Sequence, residues 1–154
     1  INDPVVLILD DLDDPRNIGA CFRTANAVKV DMVVLSKNRV SLASPIISKV
    51  SSGASELTNT AIVSNISQFI DRLKDIGFWI CGTSGDSEAD FRTIDYTKSI
   101  AIIMGSEAKG MRRLTEKKCD HVVFIPINGE VDSLNVSVSC GVILYELVRQ
   151  RQSI

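Results

Sequence analysis

The chain has 154 residues, 45% of them hydrophobic and 23% charged, a composition that fits one globular domain and excludes a disordered chain. Its formal net charge of -2 argues against a protein that binds nucleic acid with its whole surface. No apolar run approaches the roughly 20 residues of a membrane span, and residues 1–10 lack the features of a secretion signal, so we expect a cytoplasmic protein.

Short β-branched runs bounded by Asp, Gly, Ser or Asn predict buried parallel strands. The runs are Val5–Leu9, Met32–Leu35, Phe78–Cys81, Ile100–Met104 and Val122–Ile127, with Ala61–Val63 as a weaker sixth. Helical patterns lie between them, the clearest being Ile66–Ile76, which Asn65 caps and Gly77 ends. This alternation indicates an α/β fold with a mostly parallel sheet flanked by helices. There is no repeat or linker, so we expect one domain over residues 1–154.

The first helix is predicted to begin at Pro15, with Asp14 as its N-cap. Its apolar face consists of Ile18, Cys21, Phe22, Ala25 and Val28. The opposite face carries Arg16 and Arg23 on a strip of Gly and Ala residues. An arginine in such a strip is arranged for the close approach of an anion or of a second backbone. Asn17 stands beside such an arginine at the start of the helix, where its side-chain amide could hold a ligand or the arginine itself.

Two segments contain glycines of the kind that nucleotide-binding loops use, but neither matches a nucleotide-binding motif. The segment "MGSEAKGMRR" follows a predicted strand and precedes a predicted helix, where α/β proteins bind phosphates. It is not a P-loop, because Met111 follows Gly110, and it lacks the G-x-G-x-x-G fingerprint. The segment "CGTSGDSEAD" fails both comparisons as well. Nucleotide hydrolysis and hydride transfer therefore lack their usual sequence motifs.

Cationic residues cluster in three places: in "KGMRRLTEKK", at Arg16 with Arg23, and at Arg149 with Arg151. Such clusters are most often solvated helix faces, so alone they are weak evidence for RNA binding. The four cysteines are scattered and only His121 accompanies them, so we expect no zinc site or other metal. We interpret Cys119 and His121 as incidental, because buried inert thiols are commoner than Cys-His nucleophiles.

The segment from Ile125 to Gln150 begins like a strand, breaks at a proline and a glycine, and continues as a helix. Asp132 or Ser133 is a good N-cap for that helix, although its front half alternates like a half-buried strand. We predict one helix whose first turns and preceding loop form a ligand seat at unpaired N–H groups. A capped core helix is the alternative.

Three segments together are similar to the three motifs of the SpoU (TrmH) family, which belongs to the SPOUT superfamily of RNA methyltransferases. They are "DPRNIGACFRTANA", "IIMGSEAKGM" and "IPINGEVDSLNVSVSCGVILYE". Their order and spacing fit, and the resemblance covers essentially the entire chain. It is closest to members that methylate a guanosine ribose in large-subunit ribosomal RNA, with "GMRRLTEKKCD" and "VRQRQ" as local support.

The resemblance implies a C-terminal deep trefoil knot, which general folding rules would have excluded because knots are rare. It implies S-adenosylmethionine bound in the knot loops and methyl transfer to a ribose 2'-hydroxyl of rRNA, with tRNA as the alternative substrate. It also implies a homodimer, and an N-terminal RNA-binding domain of the native protein that residues 1–154 do not include. The small residues Gly19, Ala20, Ala27, Ser137 and Gly141 independently favour a second copy, since one domain can pack only some of them.

The family motifs assign a polar catalytic set that consists of Arg23, Asn17, Glu107 and Asn135. The cofactor-binding set that they assign is Thr83, Gly105, Glu107, Gly110, Ile125, Ile127, Leu134 and Asn135. In this reading, Ile125 and Ile127 belong to a strand, and Leu134 and Asn135 to the start of the last helix.

Each catalytic assignment has a simpler alternative. The pKa of a free arginine lies above about 12, so we expect Arg23 to stabilise the developing alkoxide by its charge rather than to abstract a proton. It could instead form an ion pair in a dimer interface. Glu107 could only cap its loop, and Asn135 could only bind backbone.

Two rival functions are alternatives for a chain with these motifs. The first is a catalytically silent RNA-binding or ribosome-assembly module, against which the intact motifs count. The second is a transferase that acts on a base nitrogen, for which different residues than "SLNVS" would be expected.

Overall fold

The computed structural model of the protein describes residues 2–37, 45–105 and 113–152. In these ranges seven parallel strands form one sheet, in the order β3-β2-β1-β6-β4-β7-β5. The strands are β1 Val5–Asp10, β2 Met32–Ser36, β3 Thr60–Val63, β4 Trp79–Thr83, β5 Ala89–Asp90, β6 Ile100–Gly105 and β7 His121–Phe124. The helices are α1 Pro15–Ala27, α2 Pro45–Ser51, α3 Ala54–Leu57, α4 Ile66–Asp75, α5 Arg113–Lys117 and α6 Val136–Arg151, with a short 3-10 turn at Phe91–Thr93.

Helices cover both faces of the sheet, which explains why its central strands are apolar throughout. In β1, Leu7 and Leu9 pack into the cluster that contains α1 and α6, whereas Val6 and Ile8 pack into the cluster that contains α4. A strand buried on both faces needs apolar residues at every position, and this is the pattern from which β1, β2 and β6 were predicted. The expected α/β architecture is confirmed. No helix in the described ranges is long and apolar enough to cross a membrane.

Helix α1 follows the prediction at its start. Pro15 is its first residue, and the Asp14 carboxylate accepts a hydrogen bond from Arg16 N at 2.9 Å. Its predicted apolar face is buried except at Val28, which is the C-cap and only half-buried. Helix α4 likewise has its predicted cap, because the Asn65 side chain accepts from Gln68 N. The helix ends one residue before the predicted Ile76, which is its C-cap and is 72% exposed.

Helix α6 corrects the predicted N-cap. The cap is Asn135 rather than Asp132 or Ser133, and its Oδ1 accepts from Ser137 N at 2.9 Å. The helix itself is confirmed, and it resolves the alternation in the sequence: Val136 and Cys140 are buried, whereas Val138 is 51% exposed. Burial thus follows the helical period, and the period of two was coincidental.

Strand β7 is shorter than predicted, so Ile125 and Ile127 lie beyond the strand rather than in it. The strand ends at Phe124 because both of its neighbours end there: Val123 pairs with the last residue of β4, and Phe124 pairs with Asp90, the last residue of β5. Pro126 then lacks the N–H that a further ladder bond needs. The two-residue β5 and the short α2 and α3 were not predicted.

The connection between β4 and β6, residues 84–99, wraps one end of the sheet and contacts both β7 and α6. Its strand β5 pairs with β7. Farther along, Tyr96 N donates to Gln150 Oε1 of α6 at 2.9 Å. The end of α6 is thereby joined to the same connection that flanks β7.

Helices α1 and α6 pack closely side by side at two points. At their starts, Asn135 Nδ2 donates to Asn17 Oδ1 at 3.2 Å. Farther along, a Cβ atom placed on Gly141 would meet Thr24 Cγ2 at 3.9 Å, which is ordinary van der Waals contact. Gly19 is also buried within the chain. These two glycines therefore have packing partners in their own chain, which weakens the argument for a second copy that was based on them.

We predict that Gly141→Ala raises the free energy of unfolding by about 0.5–1 kcal/mol, because the helix gains a better former and the methyl group fits beside Thr24. Gly141→Leu should lower it by about 1–3 kcal/mol, because the longer side chain forces α1 and α6 apart. Urea denaturation followed by circular dichroism measures both. A destabilised alanine variant would show that something closer than Thr24 covers Gly141.

Candidate active site

A cavity of about 160 Å³ opens at the carboxyl ends of β4, β6 and β7, against the start of α6. This is the edge of a parallel sheet at which α/β proteins bind ligands. Five predicted cofactor-binding residues lie in its wall, namely Thr83, Gly105, Ile125, Ile127 and Leu134. The structure therefore brings together positions separated by up to about a third of the chain.

The strand ends supply one wall of the cavity. Thr83 ends β4, and its Oγ1 donates to Ile103 O of β6 at 3.1 Å. That bond fixes the side chain and leaves the hydroxyl lone pairs as acceptors. Gly105 ends β6 and lines the cavity without a side chain, so its backbone is accessible to a ligand.

The opposite wall is the segment between β7 and α6. Ile125, Ile127 and Leu134 are half-buried there, and Asp132, Ser133 and Ser139 add polar groups to the lining. An apolar wall with a few convergent polar groups is the usual character of a small-molecule site.

Asn135 lies beside the cavity rather than in its wall. Its two functional atoms have different partners: Oδ1 caps α6 by accepting from Ser137, and Nδ2 donates to Asn17 Oδ1. The cap fixes the orientation of the Asn135 side-chain amide. Because its Nδ2 then faces Asn17, the side-chain oxygen of Asn17 lies toward Asn135. Within the described ranges the Asn17 NH₂ group has no acceptor, so it remains available as a donor. Asn17 and Asn135, which the motifs place in one catalytic set, are thus in direct contact.

Arg23 has no recorded contact with this pair within the described part of the chain. Arg23 is exposed on α1, and the cavity wall does not include it. Glu107 and Gly110 lie outside the described residues. The roles assigned to all of these residues stay predictions.

Sequence comparison identifies the family. A sequence model described as the SpoU rRNA Methylase family matches residues 4–145, nearly the whole chain. The chain belongs to the SpoU rRNA methylase family. The family resemblance carried by the three motifs is thereby confirmed.

Relatives agree with this assignment. The chain is 48% identical over 149 residues to the 23S rRNA (guanosine-2'-O-)-methyltransferase RlmB of Coxiella burnetii, and the match covers 97% of this chain and 60% of that protein. The chain thus spans about three-fifths of the length of this relative.

Solved structures of the SpoU family and of a related enzyme have the same fold. A crystal structure of an RNA 2'-O ribose methyltransferase superposes with a TM-score of 0.90 at 32% identity, over 98% of this chain and 58% of that one. The SpoU methyltransferase AviRb from Streptomyces viridochromogenes, solved in complex with the cofactor AdoMet, superposes with a TM-score of 0.91 at 25% identity, over 100% of this chain and 63% of that one.

Several cavity residues of this SpoU family member were missed by the motif assignment. Ser84 and Gly85 line the cavity directly after β4, and Asp132, Ser133 and Ser139 line it around the start of α6. The first pair could have been found, because residues that follow a buried parallel strand lie at the ligand-binding edge. The others lie in the loop and first turns of α6, the region in which the sequence predicts a ligand seat, although the motifs do not single them out.

The cysteines are unsuited to nucleophilic catalysis. Burial raises the pKa of the Cys81 thiol to about 12 and that of Cys119 to about 12 as well, so both thiols stay protonated near neutral pH. The His121 ring stacks on Trp79, with 5.9 Å between ring centroids. No cluster of three or more potential metal ligands occurs in the parts of the chain that the structure describes.

Three of the seven described cations in the sequence clusters have structural partners. Lys118 pairs with Asp71 at 2.7 Å, and Arg149 pairs with Glu146 at 2.8 Å. Arg151 donates to backbone carbonyls. Of the cations in the three clusters that the structure describes, Arg16, Arg23, Arg113 and Lys117 remain exposed without a recorded ion pair.

We predict that Asn135→Ala lowers the free energy of unfolding by about 1 kcal/mol, because α6 loses its cap. Asn135→Asp keeps an acceptor for Ser137 N, and Asn17→Ala does not touch the cap. Both should therefore stay within about 0.5 kcal/mol of the parent, the usual range for changes away from such features. Urea denaturation compares the three variants. Equal destabilisation by all three would show that the contact with Asn17, rather than the cap, holds the start of α6.

Proposed function

We propose that the chain is the catalytic domain of an S-adenosylmethionine-dependent RNA ribose 2'-O-methyltransferase that acts on a guanosine of large-subunit rRNA. The observation that carries this proposal is the cavity: five of the six described residues that the motifs assign to the cofactor line a single pocket. The similarity to RlmB supports the choice of rRNA. A ribosomal substrate is consistent with a location in the cytoplasm.

The cavity residues fit S-adenosylmethionine in chemical kind. Ile125, Ile127 and Leu134 offer apolar contact for a purine ring. Asp132 and the hydroxyl of Ser139 offer polar partners for an ammonium group or ribose hydroxyls. When bound, the cofactor supplies a methyl group that its sulfonium has already activated. The protein then needs chiefly to align the ribose oxygen and to favour loss of its proton.

Asn17 is the donor best placed to act on the substrate. Asn135 uses both of its functional atoms on neighbours, so we assign it the task of orienting Asn17. The NH₂ group of Asn17 then hydrogen-bonds the ribose or its phosphate without having to reorganise. This division of tasks retains both residues in the catalytic set and gives each a different role.

Arg23 acts by charge in this proposal. As a planar, positively charged fork, its guanidinium suits a ribose-phosphate group and the alkoxide that develops. Arg23 is exposed and absent from the wall of the cavity. We therefore propose that it completes the site of a second copy across a homodimer interface.

A homodimer is supported by apolar residues on the outer side of the helices. Val138 and Tyr145 on α6 are 51% and 56% exposed, and Ala27 at the end of α1 is exposed beside the groove that Tyr145 lines. Large apolar residues that share an exposed helix face are typical of interfaces. Their placement keeps the dimer proposal, although Gly19 and Gly141 no longer support it.

The proposal includes the C-terminal trefoil knot. Residues 125–135 run from β7 to α6, and the 84–99 connection contacts β7 before this crossing and α6 after it. These contacts are expected of a chain that passes through the loop closed by that connection. An N-terminal RNA-binding domain, which the motif resemblance implies, would add RNA contacts to those proposed for Asn17 and Arg23.

The protein should bind S-adenosylmethionine, measured by isothermal titration calorimetry. Gly105→Leu should abolish binding, because the new side chain projects from the cavity wall. Gly129→Leu is the matched control: it changes a glycine in the segment opposite, where a Cβ meets nothing within 4 Å. Absence of binding by the parent protein would contradict the proposal.

Arg23→Ala should lower methyl transfer to rRNA about a hundredfold or more, the scale for removal of one oxyanion-type donor, while cofactor affinity stays nearly unchanged. Arg23→Lys should rescue little, because a point charge cannot reproduce the planar fork. Arg72→Ala, which removes an exposed arginine of α4, is the control. Transfer of labelled methyl groups to rRNA and tRNA measures the rates. Full activity of Arg23→Ala would remove this residue from the mechanism, and transfer to tRNA alone would change the substrate.

Mixed dimers test the position of Arg23. If it acts across the interface, mixing the Arg23→Ala and Gly105→Leu proteins should restore part of the activity, since one site then has both intact halves. Light scattering must show that each variant is dimeric, and subunit exchange must be verified. No restoration in verified mixed dimers would place Arg23 in the site of its own chain. Cofactor binding without transfer to any RNA would favour the silent binding module.

A further inference from the structure

The last turn of α6 holds the 84–99 connection through Gln150, a residue outside the proposed chemistry. Gln150 Nε2 donates to Ile94 O at 3.0 Å and to Glu146 Oε2 at 2.9 Å, while its Oε1 accepts from Tyr96 N at 2.9 Å. One neutral side chain thus uses both ends of its amide on the main chain of the connection. Each such bond restricts where that backbone can lie.

Arg151 reinforces the same attachment. Its guanidinium donates to the carbonyl oxygens of Tyr96 and Lys98 at 2.9 Å each, and to Asp3 O at 2.8 Å. Its contact with Asp3 also ties the start of the chain, which is remote from the cavity. Gln150 is therefore the more specific residue through which to examine the effect of the attachment on the cavity.

Tyr96 connects the attachment with the strands below the cavity. Its side chain is fully buried in the core cluster that also contains Cys81 and Val123, and its hydroxyl donates to Phe91 O at 2.6 Å. Cys81 lies in β4 two positions before Thr83, which lines the cavity. A displacement of Tyr96 would be transmitted to β4, because close-packed cores have little free space.

The 84–99 connection itself forms part of the cavity wall. Ser84 and Gly85 line the cavity at one end of it, and Ser84 N donates to Val123 O of β7 at 3.0 Å. Strand β5, which directly precedes Phe91, pairs with Val123 and Phe124, and both of these residues line the cavity. The segment that Gln150 holds thus includes Ser84 and Gly85 of the cavity wall, and through β5 it pairs with Val123 and Phe124 of that wall.

We propose that Gln150 is a positioning residue for the cofactor pocket: by holding the 84–99 connection, it keeps the walls at Ser84 and Val123 in the form that binds S-adenosylmethionine. This inference rests on the proposed function. A pocket whose wall must first be ordered binds more weakly, because part of the binding free energy is spent on the ordering. The helix that begins beside the pocket therefore also supports it from its far end.

Gln150→Ala and the similarly sized Gln150→Met test the inference in the full chain. Calorimetry should show a cofactor Kd about tenfold higher in both variants, which corresponds to about 1.4 kcal/mol. Amide hydrogen exchange should accelerate at Ser84, whose bond to Val123 does not involve Gln150. A general loss of stability would instead accelerate exchange at the amides of β2 and α4 as well as at Ser84.

Two controls separate positioning from stability. Arg149→Ala removes the ion pair with Glu146 but leaves every bond to the connection, so its Kd should match that of the parent. Ile70→Val destabilises the core on the opposite face of the sheet and should also leave the Kd unchanged. An unchanged Kd in both Gln150 variants, or an equal rise in Ile70→Val, would overturn this inference alone. A parent protein that binds no cofactor would overturn both proposals.

Discussion

The order of the strands obliges residues 125–135 to cross the carboxyl edge of the sheet. Strand β7 pairs with β4 and β5, yet α6 packs on α1 and over β6. Two strand spacings, roughly 10 Å, separate β7 from β6, so the chain must pass over the end of the one intervening strand, β4. That passage forms the cavity, because the strand ends supply one wall and the crossing segment supplies the opposite wall. Because this segment has no ladder partners within the described residues, its position there depends on what holds α6.

Helix α6 is held along its length by three kinds of interaction. At its start the Asn135 cap and the contact with Asn17 join it to α1. Along its middle Cys140, Ile143 and Leu144 are fully buried. At its end Gln150 and Arg151 bind main-chain groups of the 84–99 connection. Apolar burial supplies most of the stability, whereas the directional bonds at the two ends determine where the helix begins and which loop it closes. One polar end lies beside the pocket, and the other binds the connection whose first residues, Ser84 and Gly85, line it.

How much of this could be predicted differs from one element to another. Strands β1 and β6 were predictable because burial on both faces demands uninterrupted apolar runs, and α1 because Asp14 and Pro15 mark its start locally. Strand β5 has two residues and no apolar run, so it has no local signal. The pocket residues were assigned by resemblance to family motifs, since no periodicity relates Thr83 to Leu134. Ile125 and Ile127 were placed in a strand because they are apolar, but a strand ends where its neighbours end. The position of Arg23 relative to a second copy is not encoded in any local pattern of one chain.

The wrong N-cap has an instructive cause. Asp132, Ser133 and Asn135 are all good caps by residue type, so local propensity cannot choose among them. The contact with α1 distinguishes these three residue types. A carboxylate could cap α6 but has no hydrogen to donate to Asn17, and a serine hydroxyl has one hydrogen on a shorter side chain. Asparagine is the cap residue that accepts from its own helix and donates to a neighbouring one at the same time. Asn135 is thus the candidate that can cap α6 and contact Asn17 together, and this tertiary contact is the information that local propensity lacks.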